Sequence, residues 1–287
     1  MEKASIAAKK VGVIGIISNI FLLCGKFIVG LIFKSQGLIA DAVNSFGDVF
    51  SSLATYVGGK ISEKPADEDH EFGHGKAEFV ASFIIGIFMV MVSGDTLYSS
   101  ILSIVNKGTF TFSYFLIVVP IITIIVKGIL YFYCTQQAKK HNSLLILSNA
   151  KDHRNDIILS IGVIMGVVSG YFGHYFVDGI VGIIISGVIV FTGIKIIKEA
   201  YDVLIDKCID VETVNEMRNL IEQIKGVNHV DSIKSKPTGS LHMLIVKVSV
   251  DPNMTVRTSH NIAGQIRSDL KQYPNVYDVV VHINPDE

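Results

Sequence analysis

Up to about residue 199 the chain alternates long apolar runs with short polar connections. A helix needs about 20 apolar residues to cross a hydrocarbon core, and a chain at that depth must satisfy every backbone polar group internally. The runs predict helices over about 12–33, 37–60, 78–103, 112–136, 144–170 and 175–199. From about residue 206 onward the pattern is that of a soluble domain. The mean hydropathy of +0.49 and 49% hydrophobic content over 287 residues suit several spans plus one small domain. The expected division is a transmembrane domain over 1–205 and a cytoplasmic domain over 206–287. The N-terminal MEKASIAAKK is basic and lacks a small-residue cleavage site, so it reads as the start of a retained first helix.

The spans near 37–60 and 144–170 are the least hydrophobic, as helices that line a polar path would be. They carry Asn44-x-x-x-Asp48 and Asp152-x-x-x-Asp156. A four-residue step returns to nearly the same helix face about 6 Å along the axis, so each pair can aim two oxygens into one space. Asp41 falls on the same stripe as Asn44 and Asp48. Charged groups at membrane depth cost about 2.5–3.5 kcal/mol each on insertion scales and usually have a task. Carboxylate and amide oxygens are hard ligands, suited to Mn²⁺, Mg²⁺ or Ca²⁺, whereas imidazole and thiolate favour Zn²⁺ or Cu. The alternative is that these groups cap helices or pair with Lys151 and Arg154. His153 lies about 100° off the ligand stripe. Lys26, Lys127 and Asp95 also fall within spans; Lys127 is expected to snorkel to the cytoplasmic face, and Lys26 and Asp95 have no assigned partner.

Lysine usage sets an expected orientation. With six spans, one side holds Lys3, Lys9, Lys10, Lys60, Lys64, Lys76, Lys139, Lys140, Lys195 and Lys198, and the other only Lys34 and Lys107. The positive-inside rule places both termini in the cytoplasm. Glycines at 162, 166, 170, 179, 182 and 187 suit close helix packing or sliding.

The connection after the second span, Lys64-Pro-Ala-Asp67-Glu68-Asp69-His70-Glu71-Phe-Gly-His74-Gly-Lys76, can bind a metal through His70, His74 and nearby carboxylates, or attract cations without a fixed site. The tail reads as helix (about 211–225), strand (229–236), strand (241–250), helix (256–272) and strand (276–283), with a turn at Lys236-Pro-Thr-Gly239. Two helices on one face of a three-stranded sheet make an α+β domain. His242, His260 and His282 are candidate ligands there, or solvated surface groups.

Other classes find no support. A net charge of −1 suggests no nucleic-acid partner. Three scattered cysteines, Cys24, Cys134 and Cys208, indicate neither a disulfide framework nor a thiolate metal site. There is no Walker A loop, catalytic triad or redox pair, so an ATP-driven pump or an enzyme is not expected, and no cofactor is required.

The six spans, both intramembrane pairs, the PADEDHEFGHGKAE connection and the α-β-β-α-β tail together resemble the cation diffusion facilitator family. The resemblance implies a homodimeric exporter in the lipid bilayer, moving a divalent cation out of the cytosol by alternating access coupled to proton entry. It also implies a transport site at Asn44, Asp48, Asp152 and Asp156, a loop site at Asp67, His70 and His74, and a charge interlock between Lys76 and Asp206. In the tail, His260 and His282 match positions that ligate zinc in some relatives, with Asp231, Lys247 and Asn284 as companions; a lysine there argues against a binuclear zinc cluster. Zinc-transporting members typically carry Asp-x-x-x-Asp and His-x-x-x-Asp, so the loss of the imidazole departs from that pattern. Asn with three Asp is similar to bacterial manganese exporters, which makes Mn²⁺ the expected ion, ahead of Fe²⁺ and Zn²⁺, in a bacterial plasma membrane. A metal-responsive membrane sensor or a passive channel are the readings of other classes.

Overall fold

A computed structural model describes residues 2–62, 64–141 and 144–286, with side chains for all of these but 2–12, 51–60, 62, 141, 144–146 and 148. Six long helices come first: α1 (Glu2–Phe33), α2 (Gln36–Ser62), α3 (Ala77–Val105), α4 (Phe115–His141), α5 (Leu144–Tyr171) and α6 (Phe176–Leu204). The tail follows as α7 (Val211–Glu222), β1 (His229–Pro237), β2 (His242–Val250), α8 (Val256–Leu270) and β3 (Val276–Pro285). The order and type of all eleven elements are those the apolar periodicity predicts. The main differences are at helix ends: α1 starts near the N-terminus, and α4 and α6 each run about a turn further than expected. A helix does not stop where the hydrocarbon stops, because polar residues such as Lys139, Lys140 and Lys198 are compatible with helix in water. The side chains of Lys3, Lys9, Lys10 and Lys60, on which the expected orientation leans, lie outside those described.

The chain divides into two compact units, Met1–Ala54 with Ile84–Ile197, and Thr55–Phe83 with Lys198–Glu287. In the first, α4 packs on α1 and α5, and Leu38, Val43, Phe110, Leu116, Val163, Val167, Ile185 and Ile189 form a buried cluster. Large side chains such as Phe21, Phe132 and Phe191 are about 70% exposed on the helix surfaces. That arrangement suits lipid rather than water as solvent. Among the described residues, four helices, α1, α3, α4 and α6, are long and apolar enough to cross a membrane by length and composition; α2 and α5, which carry the polar stripes, are the less apolar pair.

Lipid tails supply no hydrophobic drive between helices, so close packing must hold them. A Cβ on Gly182 would lie 2.5 Å from Ser100 Oγ, and one on Gly179 would lie 2.6 Å from Ile104. These glycines seat α6 against α3. The start of α2 is fixed from another helix. Ser35 Oγ accepts from Leu38 N at 3.3 Å and donates to Asp178 Oδ1 at 2.7 Å, while Gln36 N donates to Asp178 Oδ2 at 2.7 Å. The buried carboxylate thus satisfies helix-end donors that water cannot reach.

In the tail, β2 lies between β1, antiparallel to it, and β3, parallel to it. Leu244, Val246, Val248 and Val250 alternate onto one face and meet Met217 and Ile221 of α7 and Ile262, Ile266 and Leu270 of α8. Each such side chain contributes about 1.5–3 kcal/mol on full burial. Asp210 caps α7 through Thr213 N and Thr255 caps α8 through Thr258 N.

Candidate metal centre

Asn44 and Asp48 project from α2, and Asp152 and Asp156 from α5. Asn44 Nδ2 donates to Asp156 Oδ1 at 3.0 Å, which ties the two helices at the level of the stripe. That bond fixes the amide with its oxygen as the atom that can face a cation. Asp156 is buried, Asn44 and Asp48 are half-buried and Asp152 is exposed. Asp48 lies within electrostatic range of Asp156, Asp152, Lys127 and Lys26. Among the described residues, Asp48, Asp152 and Asp156 do not form a group of three with ligand atoms within 4.8 Å of one another.

Two lysines complete this region. Lys127, on α4, is fully buried; its ammonium donates to Asp156 Oδ2 and, at 2.6 Å, to Asn19 Oδ1 of α1. The expectation that Lys127 snorkels is therefore wrong. The residue lies in the middle of α4, and a carboxylate within reach offers its charge a better partner than distant water. Lys26, left without a partner by the sequence, pairs with Asp41 at 2.9 Å, both fully buried, and donates to Ser45 at 3.0 Å. Ser160 Oγ donates to the same Asp41 oxygen at 3.2 Å. Asp41 thus separates from Asn44 and Asp48 although it shares their stripe. Lys151 and Arg154 are exposed. His153 is buried with Nδ1 unpartnered.

Among the described residues, one group of three metal-ligating side chains has its atoms within 4.8 Å of one another: Asp67, His70 and His74. Asp67 Oδ1 accepts from His70 N at 2.7 Å and from Asp69 N at 3.2 Å. His70 Nδ1 lies 3.1 Å from Asp67 Oδ1, and His74 Nε2 lies 3.4 Å from Oδ2. Gly73 makes the turn between the imidazoles with a φ of 74°, a backbone conformation glycine adopts without strain. Slight desolvation opposes ionisation of Asp67, but the His70 backbone and ring bonds, with the charge of both imidazoles, hold its carboxyl below the usual range. Next in the chain, Lys76 Nζ donates to Asp206 Oδ1 at 2.6 Å. Gly75 backs onto the β1–β2 turn, where a Cβ would come within 2.0 Å of Thr238 O.

His260 on α8 and His282 on β3 are exposed, and neither belongs to a group of three such ligands. Lys247 stands opposite His282 in the parallel register. The remaining companions are engaged with each other: Asn284 Nδ2 donates to Asp231 Oδ2 at 2.8 Å and Ser249 Oγ to Oδ1 at 2.9 Å. His229, which the sequence reading passed over, lies 2.9 Å from Asp231. The Asn284 amide is the main cause holding the Asp231 carboxyl below its usual range.

Sequence reasoning missed Asn19, Lys26, Lys127 and Asp178 as members of polar networks. The signal for the lysines was a charge deep in an apolar run, which demands a partner; naming the partners required the packing of α1, α2, α4 and α5.

Comparison with known proteins agrees with this architecture. Residues 12–205 match the family described as cation efflux transmembrane domain, and residues 209–286 match cation efflux protein, cytoplasmic domain. The manganese efflux system protein MneP of Bacillus subtilis (strain 168) is 36% identical over 286 residues, covering 97% of this chain and 96% of the relative. MneS of the same organism, also a manganese efflux system protein, is 31% identical over 96% of this chain and 94% of its own length. The magnetosome protein MamB of Magnetospirillum gryphiswaldense is 28% identical over 93% and 91%. With both family regions matched in order across nearly its whole length, the chain belongs to the cation diffusion facilitators, the cation efflux family.

Proposed function

We propose that this protein exports Mn²⁺ in exchange for protons, with Asn44, Asp48, Asp152 and Asp156 as the ligands of the transported ion. The observation that carries the reading is the Asn44–Asp156 bond, which joins two all-oxygen pairs on α2 and α5 with no imidazole in the set. Hard oxygen ligands suit Mn²⁺ better than Zn²⁺, and the similarity to MneP and MneS favours the same ion. Facing inward, the four side chains replace much of the ion's hydration shell; facing outward, protons compete for the carboxylates and release it.

In this reading residues 1–205 form the transport domain of a bacterial plasma-membrane protein, both termini are cytoplasmic, and residues 206–287 pair two copies into a homodimer. Asp67, His70 and His74 hold a second cation in the connecting loop, and Lys76 with Asp206 fastens that loop to the tail. His260 and His282 are the weaker tail ligands, since Lys247 opposes one of them. Flux into liposomes of the purified protein tests the proposal, comparing Mn²⁺, Fe²⁺ and Zn²⁺ with and without a pH gradient. Gradient-driven Mn²⁺ flux above Zn²⁺ flux is the expected result. Zn²⁺ winning overturns the ion assignment, gradient-independent flux overturns the antiport, and no flux of any ion makes the protein a membrane sensor.

A further inference from the structure

We infer that Lys127 is a resident counter-ion of the transport site: its ammonium holds Asp156 when no metal is bound and is left to Asn19 when a divalent cation takes the carboxylate. The inference rests on the proposed transport role of Asp156. Its own basis is geometric. Lys127 is fully buried and has two polar partners, one of them a candidate metal ligand and the other the neutral oxygen of Asn19 at 2.6 Å. An ammonium at that depth cannot stand without a partner, and a divalent cation on Asp156 repels it. Asn19 Oδ1 is already within hydrogen-bonding distance, so the lysine can give up the carboxylate without losing every partner.

The formal charges follow the same logic. Lys26 is matched by Asp41, and Lys127 removes one formal negative charge from the candidate ligands by pairing with Asp156. Lys127 thus sets affinity by competing for one ligand, and the sign of its effect differs from that of a merely structural residue.

Mn²⁺ titration of the full-length protein in detergent reads this directly, taking as the transport site the binding component that Asp48→Ala removes. Lys127→Gln, with Lys127→Met as the second replacement, is expected to tighten that component about tenfold, in the range of ordinary site–site coupling, and to slow Mn²⁺ release from liposomes. Asn19→Ala is expected to weaken binding severalfold, because the displaced lysine loses its second partner, and to have no effect in the Lys127→Gln background. If the Lys127 variants bind Mn²⁺ no more tightly than the unaltered protein, or Asn19→Ala acts equally with and without the lysine, the counter-ion role is wrong. If Asp48→Ala removes no component at all, the transport-site reading fails instead.

Discussion

The two units handle the same kinds of ionisable group in opposite ways. In the helical unit, Asp41 and Asp156 each face a buried lysine, and among the described residues Asp48, Asp152 and Asp156 do not form a group of three with ligand atoms in reach of one ion. In the other unit, Asp67, His70 and His74 stand close enough to share one ion, with Asp67 and His70 about half exposed. The cause is solvent. Water screens the loop's carboxylate and imidazoles, so they tolerate assembly without a cation. At membrane depth an unmatched carboxylate is costly, and the protein supplies cations from its own chain. In the proposed reading the buried site therefore has to exchange one cation for another, while the loop site has only to fill.

The largest expected effect is on flux. Asp48→Ala or Asp152→Ala should reduce Mn²⁺ transport to background in liposomes, while the thermal unfolding midpoint changes little because both side chains are less buried than Asp156. Normal export by either variant breaks the assignment of the buried site. Next comes the structural pair. Lys26→Met leaves Asp41 buried beside only Ser160, and stranding one half of a buried ion pair costs about 3–5 kcal/mol. Adding Asp41→Leu should return most of that stability. Chemical denaturation of the single and double variants measures both, and equal loss in the two would show that the charges themselves are not what matters there.

A subtler change concerns ion choice. Asp152→His places an imidazole in the exposed member of the α5 pair, and softer ligation should shift relative flux from Mn²⁺ toward Zn²⁺. Selectivity that stays put would sink the ligand-hardness argument. Removing the loop imidazoles with His70→Ala and His74→Ala should abolish one metal-binding component and leave the Asp48-dependent component in place, which separates the two sites in a single titration.

Much of this was legible in the sequence because both relevant periods are strong. Apolar runs of about 20 residues mark helices, and the alternation at Leu244, Val246 and Val248 marks a one-sided strand. The four-residue steps placed Asn44 with Asp48 and Asp152 with Asp156. What could not be read is which charges meet. Asp41 sits on the ligand stripe by periodicity, yet Lys26 claims it from a different helix. Asp178 closes α2 from a position 142 residues away from Gln36. Helix periodicity fixes the face of a residue and says nothing about the neighbour opposite, so every long-range polar pair was invisible until the helices packed.

The smallest expected effect is the exposed counterpart of the buried pairs. Asp278 on β3 accepts from Lys271 at 2.8 Å and from Arg267 at 3.0 Å, all three partly exposed. The Lys271 ammonium is the main cause, aided by the Val279 backbone and by Arg267, and the Asp278 carboxyl is held at about 2. Because the folded value is depressed, the pair stabilises the fold above the ordinary carboxylate range near 4 and loses that contribution as pH falls toward about 2. Solvent screening limits the contribution to about 1 kcal/mol or less. Asp278→Asn should therefore lower stability slightly at neutral pH and flatten its fall between about pH 4 and pH 2, measured by unfolding of the full chain in detergent. A loss as large as that from Lys26→Met would mean that exposure does not separate the two kinds of pair, and the contrast between the units would have to be explained by packing instead of by solvent.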